Sequence, residues 1–225
     1  MKSVLVTGAT SGIGYALALL LSQRGYTVVA SGRNEQQLMA LQQQTGCHII
    51  QADLAQPNEV TGLFERAVSL VGHIDVLVNN AGMNSRKCLI EEFTLEEFDH
   101  QYAVNLRAPA LLSREALLHM KPQKSGQIIN VISTVAKRSN ETMSVYTAMK
   151  QGLSGFSAIL AKEAQPHGIK VTSLFPGGTD TNFRAAERPE YMDPKSVALV
   201  IAQLLELPAD MIMHEMMFRP PVELE

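Results

Sequence analysis

Short apolar runs rich in β-branched residues alternate with longer segments whose apolar positions recur at helical spacing. "SVLVT" is followed by "GYALALLLSQRG", "TVVAS" by "NEQQLMALQQQTG", "CHIIQAD" by "PNEVTGLFERAVSLVG", and "IDVLVNN" by a long helical stretch over about 95 to 120. The rhythm continues through "GQIINVIS", a helix from about Tyr146 to Gln165, "IKVTSLF", a helix near 194 to 205 and a last apolar run, "MIMHEMMF". Strands that are apolar at successive positions, without polar alternation, are buried on both faces, and their alternation with helices predicts βαβ units. The expected fold class is therefore α/β, one doubly wound parallel sheet of about seven strands with helices on both faces. Punctuation agrees. Ile13, Ala16, Leu17, Leu20 and Leu21 share one face of the first helix, and Gly25 stands where a left-handed C-terminal cap belongs. Thr94 and Glu97 have the spacing of a capping box, and Asp193-Pro194 suits the start of the last helix. The least regular stretch, 176 to 193, follows a strand, where open α/β sheets carry their sites.

Composition narrows this picture. A chain of 225 residues with 46% hydrophobic types, no linker and no internal repeat reads as one domain over 1–225. Its 19 basic and 22 acidic residues are dispersed, which argues against nucleic acid and anionic membrane surfaces and favours a small-molecule partner. Cys47 and Cys88 lack disulfide or metal-site spacing, and the six histidines show none either, so no metal and a reducing, cytoplasmic setting are expected. No apolar run reaches the roughly 20 residues of a membrane span.

Candidate chemistry begins at "VLVTGATSGIGYALALLL". Gly8, Gly12 and Gly14 lie between the first strand and first helix, with Thr10, Ser11 and Ile13 among them. Glycines there allow close backbone approach to a diphosphate, and the helix N-terminus offers amides and a positive dipole end. The spacing is TGxxxGxG. Further on come "NNAG" at 79 to 82, Asn105 in "VNL", Ser133, the Tyr146/Lys150 pair in "VYTAMKQG" and "PGGTDT" at 176 to 181. In order and separation these motifs resemble the short-chain dehydrogenase/reductase family over essentially the whole chain.

Two chemical inferences rest on the residues themselves. A phenol of pKa near 10 is a poor acid–base group at neutral pH unless its anion is stabilised. Lys150, four positions from Tyr146 on one helix face, is placed to do so. Between Tyr15 and Asn34 there is no carboxylate to accept from adenosine ribose hydroxyls; "VVASGRN" instead supplies Arg33, flanked by the neutral donors Ser31 and Asn34. A cation there suits the extra phosphate of NADP(H), the alternative for Arg33 being a solvated loop charge.

The resemblance implies the remaining assignments. Tyr146 would be the general acid/base, Lys150 would also bind the nicotinamide ribose, and Ser133, preferred over Thr134, would orient the substrate oxygen. Asn105, with Pro109 after it, would break the long fourth helix and hold a water beside the lysine. Asp53 and Leu54 would flank adenine, Asn80, Ala81 and Gly82 the adenosine ribose, and Pro176, Gly177, Thr179 and Thr181 the nicotinamide carboxamide and its phosphate. The expected activity is interconversion of a carbonyl and an alcohol, in a homodimer or homotetramer paired through the helices near 95 to 120 and 146 to 165. Rival readings are a catalytically silent NAD(P)-binding sensor or scaffold, and an epimerase or dehydratase on the same fold. Lys137 and Arg138 near the pocket mouth read as solvated loop charges in preference to substrate anchors, and Asp75 as a strand-start residue. Met143, Met149 and Met192 are candidates for a pliable pocket wall. The short segment from 182 to 193 suggests an open pocket and a small or promiscuous substrate.

Overall fold

The structure, a computed structural model, describes residues 1–181, 183 and 188–223. In chain order its elements are β1 (Ser3–Thr7), α1 (Gly12–Gln23), β2 (Thr27–Gly32), α2 (Glu35–Thr45), β3 (His48–Gln51), α3 (Pro57–Val71) and β4 (Val76–Asn79). There follow α4 (Leu95–Tyr102), α5 (Ala108–Met120), β5 (Gly126–Val131), α6 (Ser144–Ala164), β6 (Ile169–Pro176), α7 (Pro194–Leu205) and β7 (Glu215–Phe218). The seven strands form one sheet in the order β3-β2-β1-β4-β5-β6-β7, and every pairing is parallel. Chain order reverses between β1 and β4, which opens a crevice beyond their C-terminal ends.

Burial explains the unalternating strands. Val4 and Val6 of β1 face one core with Leu17 and Leu21 of α1, Leu38 of α2 and Ile201 of α7. Leu5, between them, faces a second core with Leu63 and Phe64 of α3, Leu112 of α5 and Leu160 of α6. An interior strand such as β1 thus needs apolar side chains at successive positions, and the fold is the doubly wound α/β sheet that this pattern implies.

Local signals act as expected. The Thr94 side chain accepts from the Glu97 amide while the Glu97 carboxylate accepts from that of Thr94, and Asp193 caps α7 through the Lys195 amide. Gly25 adopts φ of 83°, the left-handed value its position requires. Asp75 accepts from the amide and hydroxyl of Ser3, tying β4 to β1 at the strand starts. The helix over 95 to 120 is broken around Asn105, as expected, into two α-helices joined by a π-helical segment, Ala103–Arg107. Two expectations are corrected. Only the second half of "MIMHEMMF" pairs, because His214 uses its carbonyl to hold Ser173 while Glu215 is the first residue in register with β6. Of the three methionines, only Met143 lines the cleft; Met149 is buried and Met192 packs against the first core. Among the described residues no helix is long and apolar enough to cross a membrane, and no cluster of side chains has the make-up of a metal site.

Candidate active site

A cleft of about 430 Å³ runs along the C-terminal ends of the strands. Its floor begins at the turn from β1 to α1, where Gly8 (φ 68°) and Gly12 (φ 54°) are both left-handed. A Cβ on Gly8 would stand 2.8 Å from the Cα of Ala81, and one on Gly12 would stand 3.0 Å from Cγ2 of Thr181. Glycine is thus needed here for conformation and for space. Gly14 does not line the cleft; a Cβ there would collide with the Gly8 carbonyl and the Asn80 amide, so its role is to seat α1 against the turn. Thr7, absent from the expected set, is the junction. Its hydroxyl donates to the Val78 carbonyl (3.3 Å) and accepts from the amides of Asn80 and Ala81 (both 3.1 Å). Asn80 also donates its side-chain amide to the Thr7 carbonyl at 2.9 Å, so it braces the glycine turn as well as lining the cleft. A hydroxyl at the last strand position before a glycine turn was the available signal.

Towards the second and third strands the cleft is lined by Thr10, Ser11, Ile13, Ser31, Arg33, Asp53 and Leu54. Arg33 is exposed at the end of β2, and its carbonyl accepts from the Gln51 side chain. Asn34 lies outside the lining; its carboxamide oxygen accepts from the Gln37 amide as the cap of α2. Asp53 accepts from the Ala55 amide at 3.0 Å and its own amide donates to Glu59, which fixes the turn after β3.

At the other end, α6 delivers Tyr146 and Lys150 to the same wall, with the lysine Nζ 5.8 Å from the phenol ring centroid. Lys150 is almost completely buried and donates to the Val131 carbonyl at 3.1 Å. Burial alone pushes its pKa down to about 8. Ser133, just after β5, lines the cleft, while its buried neighbour Thr134 does not. The Ser133 Oγ accepts from the Val135 amide at 3.3 Å, an arrangement that leaves its own proton to donate.

Asn105 sits in the π-helical segment with its side chain fully buried. Its carboxamide clasps Met83 twice, accepting from the amide at 3.0 Å and donating to the carbonyl at 2.8 Å. Gly82 fits between this clasp and the lysine: a Cβ there would be 3.2 Å from Asn105 Oδ1 and 3.4 Å from Lys150 Nζ. Pro109 has no N–H to offer the carbonyl of Asn105 four residues back, which accompanies the break in the helix.

The loop after β6 closes the cleft with Pro176, Gly177, Thr179 and Thr181. Phe183 stands over Tyr146 with ring centroids 5.8 Å apart. Lys137 is turned away, paired with Glu215 at 3.2 Å and lying over the Phe175 ring, and Arg138 donates to the Glu223 carbonyl. Of the short segment from 182 to 193, residues 182 and 184–187 lie outside the described residues. Met83, Asn84, Val135 and Phe183 also line this end; their signal in sequence was only proximity to a motif.

An elongated cleft with a left-handed glycine turn at a helix N-terminus, and a buried lysine beside a tyrosine at its far end, fits a nicotinamide dinucleotide. Comparison with known proteins agrees. The family model for short chain dehydrogenase matches residues 2–192. An uncharacterized oxidoreductase of Staphylococcus epidermidis is 33% identical over 225 residues, covering 97% of each chain. The structure is similar to an alcohol dehydrogenase from the archaeon Thermococcus sibiricus complexed with 5-hydroxy-NADP (TM-score 0.90, 26% identity, 100% of this chain and 99% of that one). It is also similar to a metagenomic short-chain oxidoreductase in complex with NADP (TM-score 0.88, 30% identity, 97% and 96%). The chain belongs to the short-chain dehydrogenase family. It is an NAD(P)-dependent oxidoreductase of alcohol and carbonyl groups.

Proposed function

We propose that this enzyme uses NADP(H) in preference to NAD(H) and interconverts a carbonyl and an alcohol through Ser133, Tyr146 and Lys150. The observation that carries the reading is the convergence of these three side chains at one end of a cleft whose other end has Arg33 and no β2 carboxylate. NADP(H), when bound, supplies or accepts the hydride. The protein handles the proton. In the reducing direction the Tyr146 hydroxyl gives its proton to the carbonyl oxygen as that oxygen gains charge, and in the oxidising direction the phenolate takes the alcohol proton. Lys150, as an ammonium in a poorly solvated wall, favours the phenolate. The Ser133 hydroxyl donates to the reacting oxygen in both directions, one of its two lone pairs accepting from the Val135 amide. The Lys150 ammonium also serves the nicotinamide ribose, and Pro176, Gly177, Thr179 and Thr181 its carboxamide and phosphate.

Gly8, Thr10, Ser11, Gly12 and Ile13 hold the diphosphate side, Asp53 and Leu54 the adenine, and Asn80, Ala81 and Gly82 the adenosine ribose. Asn105 acts through its backbone carbonyl towards a water beside Lys150, since both polar atoms of its side chain are engaged by Met83. The exposed Leu95, Tyr102, Leu118 and Ile159 of α4, α5 and α6 support pairing with a second copy across these helices. The test of function is NADPH and NADH consumption, measured side by side with ketones and aldehydes. NADPH-selective turnover supports the proposal. Equal efficiency with both cofactors contradicts the preference, and no turnover with bound cofactor contradicts the reaction.

A further inference from the structure

The substrate end of the cleft has a chemical character of its own. Its described walls next to Ser133 and Tyr146 are Met83, Val135, Met143 and Phe183. Each is tied to the reacting groups. Met83 is clasped by Asn105 beside Lys150, the Val135 amide holds the Ser133 hydroxyl, Met143 precedes α6 and Phe183 stands over the Tyr146 ring. Asn84 adds a neutral amide, able to donate or accept but carrying no charge.

Four described cations near this mouth are committed elsewhere. Arg86 is paired with Glu97 at 2.7 Å and also donates to the Glu92 carbonyl. Lys137 is paired with Glu215, Arg188 with Glu190, and Arg138 donates to the Glu223 carbonyl. Lys150 is spent on Val131 and on the phenol it flanks. Arg33 lies at the adenosine end, beside β2 and β3. A carboxylate on the substrate would leave water for a wall of thioether, aliphatic and aromatic groups and, among the described residues lining this end, meet no cation but the buried Lys150. That penalty is large, and no other described side chain lining this end offsets it. An alkyl or aryl group there gains the burial of its own surface, and methionines can shift to fit its shape.

We infer that the substrate is an uncharged ketone or aldehyde with an apolar substituent, and that the pocket discriminates against oxo acids. This rests on the hydride-transfer function proposed above and names the substrate class of that site. The test compares methyl levulinate with levulinate, whose ketones are equally distant from an ester or a carboxylate, under NADPH at neutral pH. The expected kcat/KM ratio favours the ester by on the order of a hundredfold. Met143→Arg, which sets a cation beside Tyr146, is expected to shrink that ratio at least tenfold by raising use of the acid. Where that variant does not fold, Phe183→Ala with acetophenone takes its place, with an expected rise in KM of about tenfold. Levulinate turned over as well as its ester, an unchanged ratio in folded Met143→Arg, or an unchanged acetophenone KM in Phe183→Ala would overturn the inference while leaving hydride transfer intact. Failure of both ketones, and of every neutral carbonyl compound, to consume NADPH overturns the hydride-transfer reading, and the inference falls with it.

Discussion

Lys150 illustrates how much a single residue is asked to do. An ammonium on a nearly sealed helix face costs free energy in the folded state, and the cost follows from its pKa of about 8 against an ordinary 10.5. Below pH 8 both folded and unfolded chains hold the proton, and the folded state bears the whole penalty, on the order of 3 kcal/mol. Between about pH 8 and 10.5 the unfolded chain still holds a proton that the folded chain has shed, so this residue's contribution to stability rises with pH. Urea melts of ligand-free wild type and Lys150→Met across that window are expected to show the wild type gaining on the variant. A constant difference would remove the buried-cation account. For the cofactor, Arg33→Ala is expected to lower the NADPH-over-NADH ratio of kcat/KM by about ten- to a hundredfold, the worth of a charge-assisted hydrogen bond. An unchanged ratio would make Arg33 the solvated loop charge. The shared wall of Tyr146 and Lys150 was legible because helix geometry converts a spacing of four into a shared face, and the place of Arg33 after a strand without a carboxylate because that absence is visible in a string of letters. Phe183 and the packing of Gly82 between Asn105 and Lys150 were not. Each depends on segments far apart in sequence approaching within a few ångströms, which no local pattern encodes.

Elements translate these residues into fixed positions. The π-helical segment at Ala103–Arg107 turns Asn105 inward, where a regular helix continuing from α4 to α5 would set a different face against Met83. Asn105→Ala is expected to leave the fold intact with a loss of about 1–3 kcal/mol, because the backbone groups of Met83 lose their partners. It should also lower kcat about tenfold, since Met83 and Gly82 would no longer be held against Lys150. Thermal melts and steady-state kinetics of the one variant check both, and an undisturbed kcat would make the Asn105 side chain a structural clasp and leave any part in the reaction to its backbone carbonyl. At the other turn, Gly14→Ala is expected to destabilise the protein by more than the usual propensity change, because its methyl would meet the Gly8 carbonyl. A melting temperature equal to wild type would contradict that. The proline at 109 signalled the irregular helix in the sequence, but its π geometry depends on how α4 and α5 pack against α6. The end of the chain was less legible for a related reason: in "MIMHEMMF" apolar residues lie on both sides of His214 and Glu215, and only register with β6 decides that pairing starts at Glu215.

At the scale of the whole molecule, one parallel sheet with a core on each face brings together a glycine turn, a cation after β2 and a serine–tyrosine–lysine group. The order of these motifs along the chain was sufficient to foresee the sheet, because buried parallel strands and their crossovers leave little freedom in how successive βαβ units wind. Substrate identity was not legible, since the loop that walls the pocket has no periodicity to read. The exposed apolar side chains on α4, α5 and α6 predict a scattering mass that is a multiple of 24.6 kDa, and a monomeric mass would reject pairing across those helices. The proposed mechanism couples hydride transfer to proton transfer by Tyr146. Its most direct test is the loss of NADPH absorbance with a neutral apolar ketone, measured for wild type and Tyr146→Phe at equal cofactor occupancy. Turnover by the wild type is expected, with a fall of about a hundred- to ten-thousandfold in the variant and NADPH binding retained. Equal turnover by the two proteins would contradict it.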